Sequence, residues 1–335
     1  MPKMSSDLNH SAMRQTVHGP TMGTRWSVTL DVESATQGAL LQRELAAAVA
    51  QVDAQMSPWK ADSDLMRFNR APVGTWVELS AEIVVVLARA LEIAHLSGGA
   101  FDPALGALVD AWGFGSAREQ PDPAAIRDAR NRLPAAAYTQ IELDRGRGRA
   151  RRHAQIQLDL CGIAKGYGVD RMVEVLQQHG VANALAALDG ELRALGSDGN
   201  HRPWAIALER PETKRRTVHG VIELEDLAIA TSGDYRRFWQ IEQTRLAHTM
   251  DPHRAAPVHN AVASVTVLAR TCMDADAWAT ALLVAGAEAG PALASRVGLE
   301  ALWLLRHDDD LVELGRGRFA SDAHQPERPE RSERH

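Results

Sequence analysis

The chain has 335 residues, of which 45% are hydrophobic and 24% charged, as expected of a folded protein with a sizeable core. Its formal net charge of −6 excludes nucleic acid and anionic membrane surfaces as main partners. Its two cysteines, Cys161 and Cys272, are too few for a disulfide framework, and their sequence context is not that of a zinc site.

Both ends of the sequence lack the periodicity of helices and strands. Residues 1–16 predict a flexible N-terminal arm, residues 17–315 a folded domain, and residues 316–335 a disordered tail rich in charge and proline. The first residues have neither the apolar core of a signal peptide nor a cysteine for lipid attachment. We therefore expect a cytoplasmic protein without an integral membrane segment, an expectation that an export signal upstream of this start would change.

Between the ends, hydrophobic periodicity predicts helices and strands that mix without strict alternation. The predicted strands span residues 24–31, 154–160, 204–208, 217–224, 263–269 and 300–306. The predicted helices run from a capping box at Ser34 and Gln37 to about residue 55, over 81–95, over about 163–178, and from residue 273 onward. This pattern favours an α+β fold, and the absence of a glycine fingerprint after any strand argues against a Rossmann fold.

Two stretches near the N-terminus combine turn residues with groups suited to a ligand. In GPTMGT, the glycines before and after Met22 let the backbone approach a ligand closely, although a turn that enters the following strand explains the same residues. In MSPWKADSDLMRFN, Trp59 lies among polar residues. Its ring is suited either to stack on a flat ligand or to cap the core.

The stretch GGAFDPALGALVDAWGFG, residues 98–115, predicts a helix that begins at Asp102 and Pro103. Aspartate caps free N–H groups at a helix start, and proline is favoured at the first helical position. Capping therefore explains Asp102. The glycine clusters on both sides are less easily explained by capping and favour a loop shaped around a ligand.

In LDLCGIAKGYGVD, residues 158–170, a predicted strand runs into a helix through Cys161 and Gly162. The unpaired N–H groups of a helix N-terminus hold phosphate well. Lys165 adds a full positive charge in the first turn, where a cation is unfavourable for the helix itself. The lysine is thus either part of an anion site or a solvated surface residue.

The stretches LAHTMDP and MDADAWAT contain His248, Asp251 and Asp276, which are suited to titrate or to bind a metal. Asp276 and Thr280 are four residues apart, so both oxygens lie on one helix face. Two hard oxygen donors suit Mg²⁺. A charge at the helix N-terminus is the alternative for Asp276, and a hydroxyl bonded to its own helix is the alternative for Thr280.

Together these stretches describe a site for a flat ring that bears a pyrophosphate and Mg²⁺. Their order also resembles that of the ApbE family, the FAD:protein FMN transferases. The resemblance covers about residues 17–305. The matching stretches are TMGT at 21–24, MSPWKADSDLMRFN at 56–69, GAFDPALGALVDAWGFG at 99–115, DLCGIAKGYGVD at 159–170, ATSGDY at 230–235, HTMDP at 248–252 and VTVLA…ADAWATAL at 265–282.

The resemblance implies an ApbE-like fold and a Mg²⁺-dependent reaction with FAD as the substrate. Members of this family move the FMN half of FAD onto a threonine or serine hydroxyl of a target protein and release AMP. The partners would be FAD and such an acceptor protein. The implied FAD contacts are Met22, Trp59, Ala100, Phe101, Asp102, Asp159, Lys165 and Thr249.

The resemblance also implies a metal site and a base. The Mg²⁺ ligands would be the carbonyl of Gly162 and the side chains of Asp276 and Thr280. The base that activates the acceptor hydroxyl would be His248. Two other functions use the same flavin contacts: an FAD pyrophosphatase, in which water replaces the acceptor hydroxyl, and a non-catalytic FAD-binding protein, which would not require a metal.

The sequence departs from the family pattern at several positions. Tryptophan stands at position 59, where the family usually has tyrosine, and Cys161 stands where glycine or serine is common. Asp189 lies where a glycine pair is usual, and Arg254 with Ala255 replaces the usual Thr-Gly. These departures are expected to alter the docking of the acceptor protein more than the binding of FAD.

Overall fold

A computed structural model describes residues 13–212, 215–241, 244–307 and 310–320. The helices are α1 (Ala35–Met56), α2 (Asp64–Arg70), α3 (Ala81–Leu96), α4 (Gly106–Ala111), α5 (Pro123–Arg132), α6 (Ala164–Gln178) and α7 (Cys272–Arg296). The strands are β1 (Met13–Thr21), β2 (Thr24–Val32), β3 (Val77–Glu78), β4 (Ile141–Asp144), β5 (Arg149–Arg152), β6 (Ala184–Leu188), β7 (Glu191–Leu195), β8 (Trp204–Glu209), β9 (Val218–Leu224), β10 (Ala228–Gly233), β11 (Phe238–Ile241), β12 (Thr244–Ala247), β13 (Met250–Asp251), β14 (Ala256–Pro257), β15 (Val262–Ala269), β16 (Glu300–His307) and β17 (Asp310–Arg316).

The centre of the molecule is an eight-stranded sheet in the order β1-β2-β6-β7-β10-β15-β16-β17. Every neighbouring pair in it is antiparallel. Smaller sheets join β3, β5 and β4, and pair β8 with β9, β11 with β12, and β13 with β14. Because the central sheet is antiparallel and its strands do not alternate regularly with helices, this is an α+β fold without a Rossmann arrangement, as predicted.

The two faces of the sheet pack against different partners because side chains alternate along each strand. On β10, Ala228 and Ala230 belong to the core cluster shared with α1 and α6, whereas Ile229 packs with Trp204 and Leu224 of the β8–β9 hairpin. Helices α1, α6 and α7 therefore cover one face of the sheet, and the hairpin covers part of the other. This arrangement places α6 and α7 side by side under the centre of the sheet.

Helix α7 is long and apolar enough to fit a membrane span by length and composition, with a mean hydropathy of 1.2 in its 18-residue window. Its apolar residues pack instead on α6, β10 and β15, and Ala275, Ala279 and Leu282 are fully buried. It bends at Gly286, where φ is 73°. The helix is thus a core element of this fold.

Most predicted elements are confirmed, but the strand predicted over 154–160 is wrong. Only Gln157 forms a β-bridge in this segment of the described chain. The amide of Asn69 takes the place of a neighbouring strand: its Nδ2 donates to the carbonyl of Leu158 at 2.9 Å, and its Oδ1 accepts the N–H of Leu158 at 2.7 Å. The apolar alternation is present, since Ile156, Leu158 and Leu160 are buried, but no strand lies beside them.

The inner residues of both predicted flexible ends lie in folded elements. Residues 13–16 belong to β1, which pairs with β2 along its whole length, and the remaining residues of the predicted arm lie outside the described ones. Arg316 ends β17, and Gly317–Phe319 form a 3₁₀ turn. Arg318 in that turn forms an ion pair with Glu300 at 3.2 Å. Residues 321–335 of the predicted tail lie outside the described chain.

Candidate functional site

A cavity of about 550 Å³ lies where the N-terminal ends of α6 and α7 meet the loops around the sheet. Its lining comes from the β1–β2 turn, the loops that follow α1 and α3, the loop before α6, and the segment after β12. The flavin contacts, metal ligands and base that the family resemblance implies all line this one cavity: Met22, Trp59, Ala100, Phe101, Asp102, Asp159, Gly162, Lys165, His248, Thr249, Asp276 and Thr280.

The predicted metal ligands meet at one end of the cavity. Thr280 lies one turn beyond Asp276 on α7, and its hydroxyl is 3.1 Å from that of Ser232 on β10. A Cβ built on Gly162 would lie 3.3 Å from Thr280 Oγ1, so the backbone of Gly162 approaches the threonine closely. A carboxylate and a hydroxyl of α7 therefore converge with the backbone of the segment before α6.

The close packing of α6 on α7 buries Asp276. A Cβ at Gly166 would lie only 2.2 Å from the carbonyl oxygen of Cys272, so this crossing requires glycine. The N–H of Gly166 donates to Asp276 Oδ2 at 3.0 Å. Asp170 on α6 accepts the N–H groups of Cys272 and Met273, both at 2.9 Å, and so caps α7.

Burial raises the pKa of Asp276 to about 7, and the nearby charge of Glu191 adds to this rise. Lys165 and the Gly166 N–H oppose it but do not cancel it. The carboxylate is therefore incompletely compensated by the protein. Among the described residues no group of three or more His, Cys, Asp or Glu side chains is placed to hold a metal. A single carboxylate with hydroxyl and carbonyl oxygens suits Mg²⁺, which keeps several of its waters or takes substrate phosphate oxygens.

Lys165 points toward acidic residues that sequence reasoning missed. Its Nζ lies 2.6 Å from Glu191 and 3.7 Å from Asp189, at the two ends of the turn between β6 and β7. Burial lowers the pKa of Lys165, but the charge of Glu191, followed by that of Asp276, outweighs burial and leaves the pKa above its usual value. Lys165 is therefore a fully charged cation inside the cavity.

The charged residues continue from Lys165 toward the mouth of the cavity. Asp189 lies 3.5 Å from Arg236, and Arg236 also pairs with Glu209 at the end of β8. The side chain of Glu191 is 4% exposed, whereas those of Lys165 and Arg236 are 29% and 38% exposed. Cations and carboxylates thus alternate from the buried Glu191 to the more exposed Arg236.

His248 faces the cavity as a neutral imidazole. Its Nδ1 lies 3.2 Å from the carbonyl oxygen of Arg237, which can only accept, so Nδ1 carries the proton and Nε2 has the free lone pair. Burial lowers the pKa of His248 to about 4, and the charge of Arg237 lowers it further than the hydrogen bond raises it. The geometry leaves Nε2 available to accept a proton.

Two predicted acidic contacts shape the loops of the cavity with their carboxylates. Asp102 accepts the N–H groups of Ala104 at 2.8 Å and Tyr138 at 3.1 Å, and burial raises its pKa to about 6. Asp159 accepts the N–H of Cys161 at 2.7 Å. The prediction that a helix begins at Asp102 is wrong: residues 103 and 104 form a turn in which the aspartate accepts the N–H of Ala104, and α4 begins later, after Leu105.

Of two further candidate residues, Trp59 lines the cavity and Asp251 does not. The Trp59 residue is 54% exposed at the edge of the cavity, which leaves its ring open to a ligand. Asp251 is not part of the lining; its Oδ1 accepts the N–H groups of His253 at 2.9 Å and Arg254 at 3.3 Å in the β13–β14 turn. Ala255 in that turn has a φ of 47°, at the position where the sequence replaces a glycine.

Comparison with known proteins agrees with this geometry. The model of the ApbE family matches residues 22–303 of this chain. A protein of Vibrio cholerae named FAD:protein FMN transferase is 35% identical over 305 residues, which is 90% of both chains. A Haemophilus influenzae protein of the same name is 36% identical over 304 residues, covering 88% of this chain and 87% of its own.

Solved structures give the same result. The flavin transferase ApbE of Vibrio cholerae superposes with a TM-score of 0.81 at 32% identity, covering 91% of this chain and 97% of its own. The flavinyl transferase ApbE of Pseudomonas stutzeri gives 0.80 at 32% identity, covering 91% and 95%. On the strength of both sequence and structure, the chain belongs to the ApbE family.

Proposed function

We infer that this protein transfers FMN from FAD to a threonine or serine hydroxyl of an acceptor protein and releases AMP. The observation that carries this inference is the convergence of residues from Met22 to Thr280 on a single cavity. The names of the relatives, FAD:protein FMN transferase, support the same reaction. The new bond joins the acceptor oxygen to the FMN phosphorus, and the bond that breaks is the P–O bond to AMP.

We extend the proposal to Mg²⁺ as the cofactor. Asp276, Thr280 and the carbonyl of Gly162 would hold the ion, which neutralises charge on phosphate oxygens when bound. The local charge supports this: three acidic side chains, those of Glu191, Asp189 and Asp276, act on the single cation of Lys165. An anionic diphosphate would be repelled from such a cluster unless a divalent cation accompanied it.

Other side chains of this protein would bind the flavin and the diphosphate and accept the proton of the acceptor hydroxyl. Trp59 offers an exposed ring for stacking on the isoalloxazine, and Lys165 binds the diphosphate. His248 Nε2 accepts the proton of the acceptor hydroxyl, because the carbonyl of Arg237 holds the proton on Nδ1. The convergence of these groups on one cavity would hold the nucleophile and the diphosphate close together, as phosphoryl transfer requires.

The proposal is tested by incubating the protein with FAD and Mg²⁺, with and without lysate proteins that contain candidate acceptors. We expect AMP release to depend on the acceptor and an FMN phosphoester to appear on a threonine or serine by mass spectrometry. AMP and free FMN formed at the same rate without any acceptor would identify an FAD pyrophosphatase instead. FAD that stays bound and intact with Mg²⁺ present would identify a binding protein.

A further inference from the structure

Asp189 is a non-glycine residue at a position whose backbone favours glycine. It is the first residue of the two-residue turn between β6 and β7, where Leu188 pairs with Glu191, and its φ is 58°. Glycine, asparagine and aspartate are the residues that adopt a positive φ most readily in hairpin turns. Glycine would thus serve this turn equally well, and the carboxylate, which lines the cavity, motivates a search for its function.

The carboxylate of Asp189 lies between the two cations that face the cavity. It is 3.7 Å from Lys165 Nζ and 3.5 Å from the guanidinium of Arg236. Neither cation depends on it for a partner, since Lys165 also pairs with Glu191 and Arg236 with Glu209. The third carboxylate is therefore surplus to the pairing of these cations, and its negative charge repels an incoming phosphate.

We propose that Asp189 is a positioning residue that limits the affinity of the cavity for phosphate-bearing ligands, and so lets the product nucleotide leave. The proposal rests on the proposed function, in which AMP is the leaving group. A diphosphate held by Lys165 displaces the contact with Asp189 or shares it, and the repulsion between the two anions weakens binding. Because product release limits the turnover rate of many enzymes, weaker binding of AMP favours turnover.

The test compares Asp189→Asn and Asp189→Gly with the wild-type protein. Asparagine keeps the size and tolerates the positive φ, and glycine removes the side chain, so both remove the charge without strain. Both variants should bind FAD and inorganic pyrophosphate roughly tenfold more tightly, by flavin fluorescence and by calorimetry respectively, as expected for one charge at this range in a partly solvated site. The KM for FAD and the inhibition constant of AMP should fall together, while kcat does not rise.

A matched control is Asp226→Asn. Asp226 is also an aspartate with a positive φ, of 49°, in the turn before β10, but it does not line the cavity and its Oδ1 accepts the N–H of Gly196. The Asp226→Asn variant should keep the wild-type affinity for pyrophosphate and the wild-type inhibition constant of AMP. High salt should shrink the difference between wild type and Asp189→Asn, since the carboxylate is 35% exposed and its effect is screened.

Two different results separate this proposal from the function on which it rests. An active wild-type protein whose Asp189→Asn and Asp189→Gly variants both keep wild-type affinity for AMP and pyrophosphate, within twofold, would overturn the role of Asp189. A wild-type protein that neither binds FAD nor releases AMP would overturn the proposed function instead. Tighter pyrophosphate binding in both variants, with the control unchanged, supports the role of the carboxylate without reference to turnover.

Discussion

At the scale of single residues, Asp276 shows how one side chain serves the fold and the site together. Its Oδ2 accepts the N–H of Gly166, which joins α7 to α6, while the residue is 4% exposed and borders the cavity. A carboxylate that was needed only for the fold would be replaceable by an amide. A carboxylate that holds a cation would not be, because an amide lacks the charge.

Asp276→Asn is therefore predicted to keep the fold and lose the reaction. The amide oxygen still accepts the Gly166 N–H, so the melting temperature should change little. The rate of FMN transfer should fall at least roughly 100-fold, since a bound metal supplies several kcal/mol of charge stabilisation. AMP release and thermal melting, measured on the same preparation, check both parts.

The matched control for this prediction is Asp274→Asn. Asp274 lies on the same helix two residues earlier and pairs with Arg89 at 2.6 Å, away from the cavity. The loss of a partly exposed ion pair costs at most about 1 kcal/mol. Turnover that fell equally in both variants, or stayed at wild-type level in Asp276→Asn, would contradict the assignment of Asp276 to the metal.

The depressed pKa of His248 has a consequence for stability. The unfolded chain binds a proton at this histidine near pH 6.5, whereas the folded protein does so near pH 4. The unfolded state thus takes up the proton first as the pH falls. The contribution of neutral His248 to stability is complete above pH 6.5 and is lost progressively between pH 6.5 and pH 4.

His248→Asn should remove this dependence on pH. Between pH 7.5 and pH 5 we expect the unfolding free energy of the wild-type protein to fall by about 2 kcal/mol relative to that of the variant. Urea titrations of both proteins at the two pH values measure the difference, and all other titrating groups cancel in it. A difference that is the same at both pH values would mean that the histidine titrates normally in the folded state.

At the scale of elements, the site depends on how closely α6 approaches α7. Gly166 permits this approach, because its Cβ would contact the Cys272 carbonyl at 2.2 Å. Gly166→Ala should destabilise the protein by about 2 kcal/mol, since overpacking outweighs the higher helix propensity of alanine. Because the shift separates the Gly166 N–H from Asp276, turnover should fall as well. Chemical denaturation and AMP release measure the two effects.

Gly220→Ala is the control for this glycine. It lies in β9 at an ordinary φ, and a Cβ there would meet no atom within 4 Å. Its unfolding free energy should stay within about 0.5 kcal/mol of the wild-type value. If Gly166→Ala proved as harmless as this control, the helix crossing would not require glycine, and the burial of Asp276 would need another explanation.

The elements also show what the sequence predicts and what it leaves out. Strands with their own alternation and helices with clear caps were predicted with nearly correct bounds, as for β2, α1 and α6. Segment 154–160 has the same alternation but no strand beside it, because the side chain of Asn69 bonds its backbone. A partner that is distant in the chain decides such cases, and periodicity does not report on it.

The same limit explains which site residues were missed. The predicted lining residues were identified because each lies in a stretch that resembles a motif of the family. Glu191 and Arg236 have no such local signal; they become part of the site only when the β6–β7 turn and the segment after β10 fold against α6. The Asp-Gly pair at 189 and 190, between two apolar runs, is a hairpin signal that locates the turn but not its charge partners.

At the scale of the whole molecule, the cavity joins parts of the chain that are far apart in sequence. Met22 follows the first strand, Lys165 lies on a helix near the middle of the sequence, and Thr280 lies on the last helix. All three nevertheless line the cavity. The lining of the cavity exists only when these distant parts of the chain are folded together. The binding energy of a ligand there is thus coupled to the folding of the whole domain rather than to one loop.

FAD with Mg²⁺ is accordingly predicted to stabilise the protein as one unit. At a ligand concentration of 100 times the dissociation constant, the unfolding free energy should rise by about 2.7 kcal/mol, which raises the melting temperature by about 5 °C in a domain of this size. Mg²⁺ alone should have a smaller effect, because the diphosphate supplies further oxygen ligands. Calorimetry with FAD, with Mg²⁺ and with both measures each contribution, using conditions under which FAD is not consumed.

The Asp276→Asn variant separates the metal from the flavin in this experiment. Its melting temperature should still rise with FAD, because Trp59 and the flavin-binding loops are unchanged, but the further increase on adding Mg²⁺ should disappear. An increase equal to that of the wild-type protein would place the ion elsewhere and leave the carboxylate a structural role only. A single sharp transition in every condition is also expected, since a cavity built from both ends of the chain does not allow one part of the domain to melt while the other keeps its ligand.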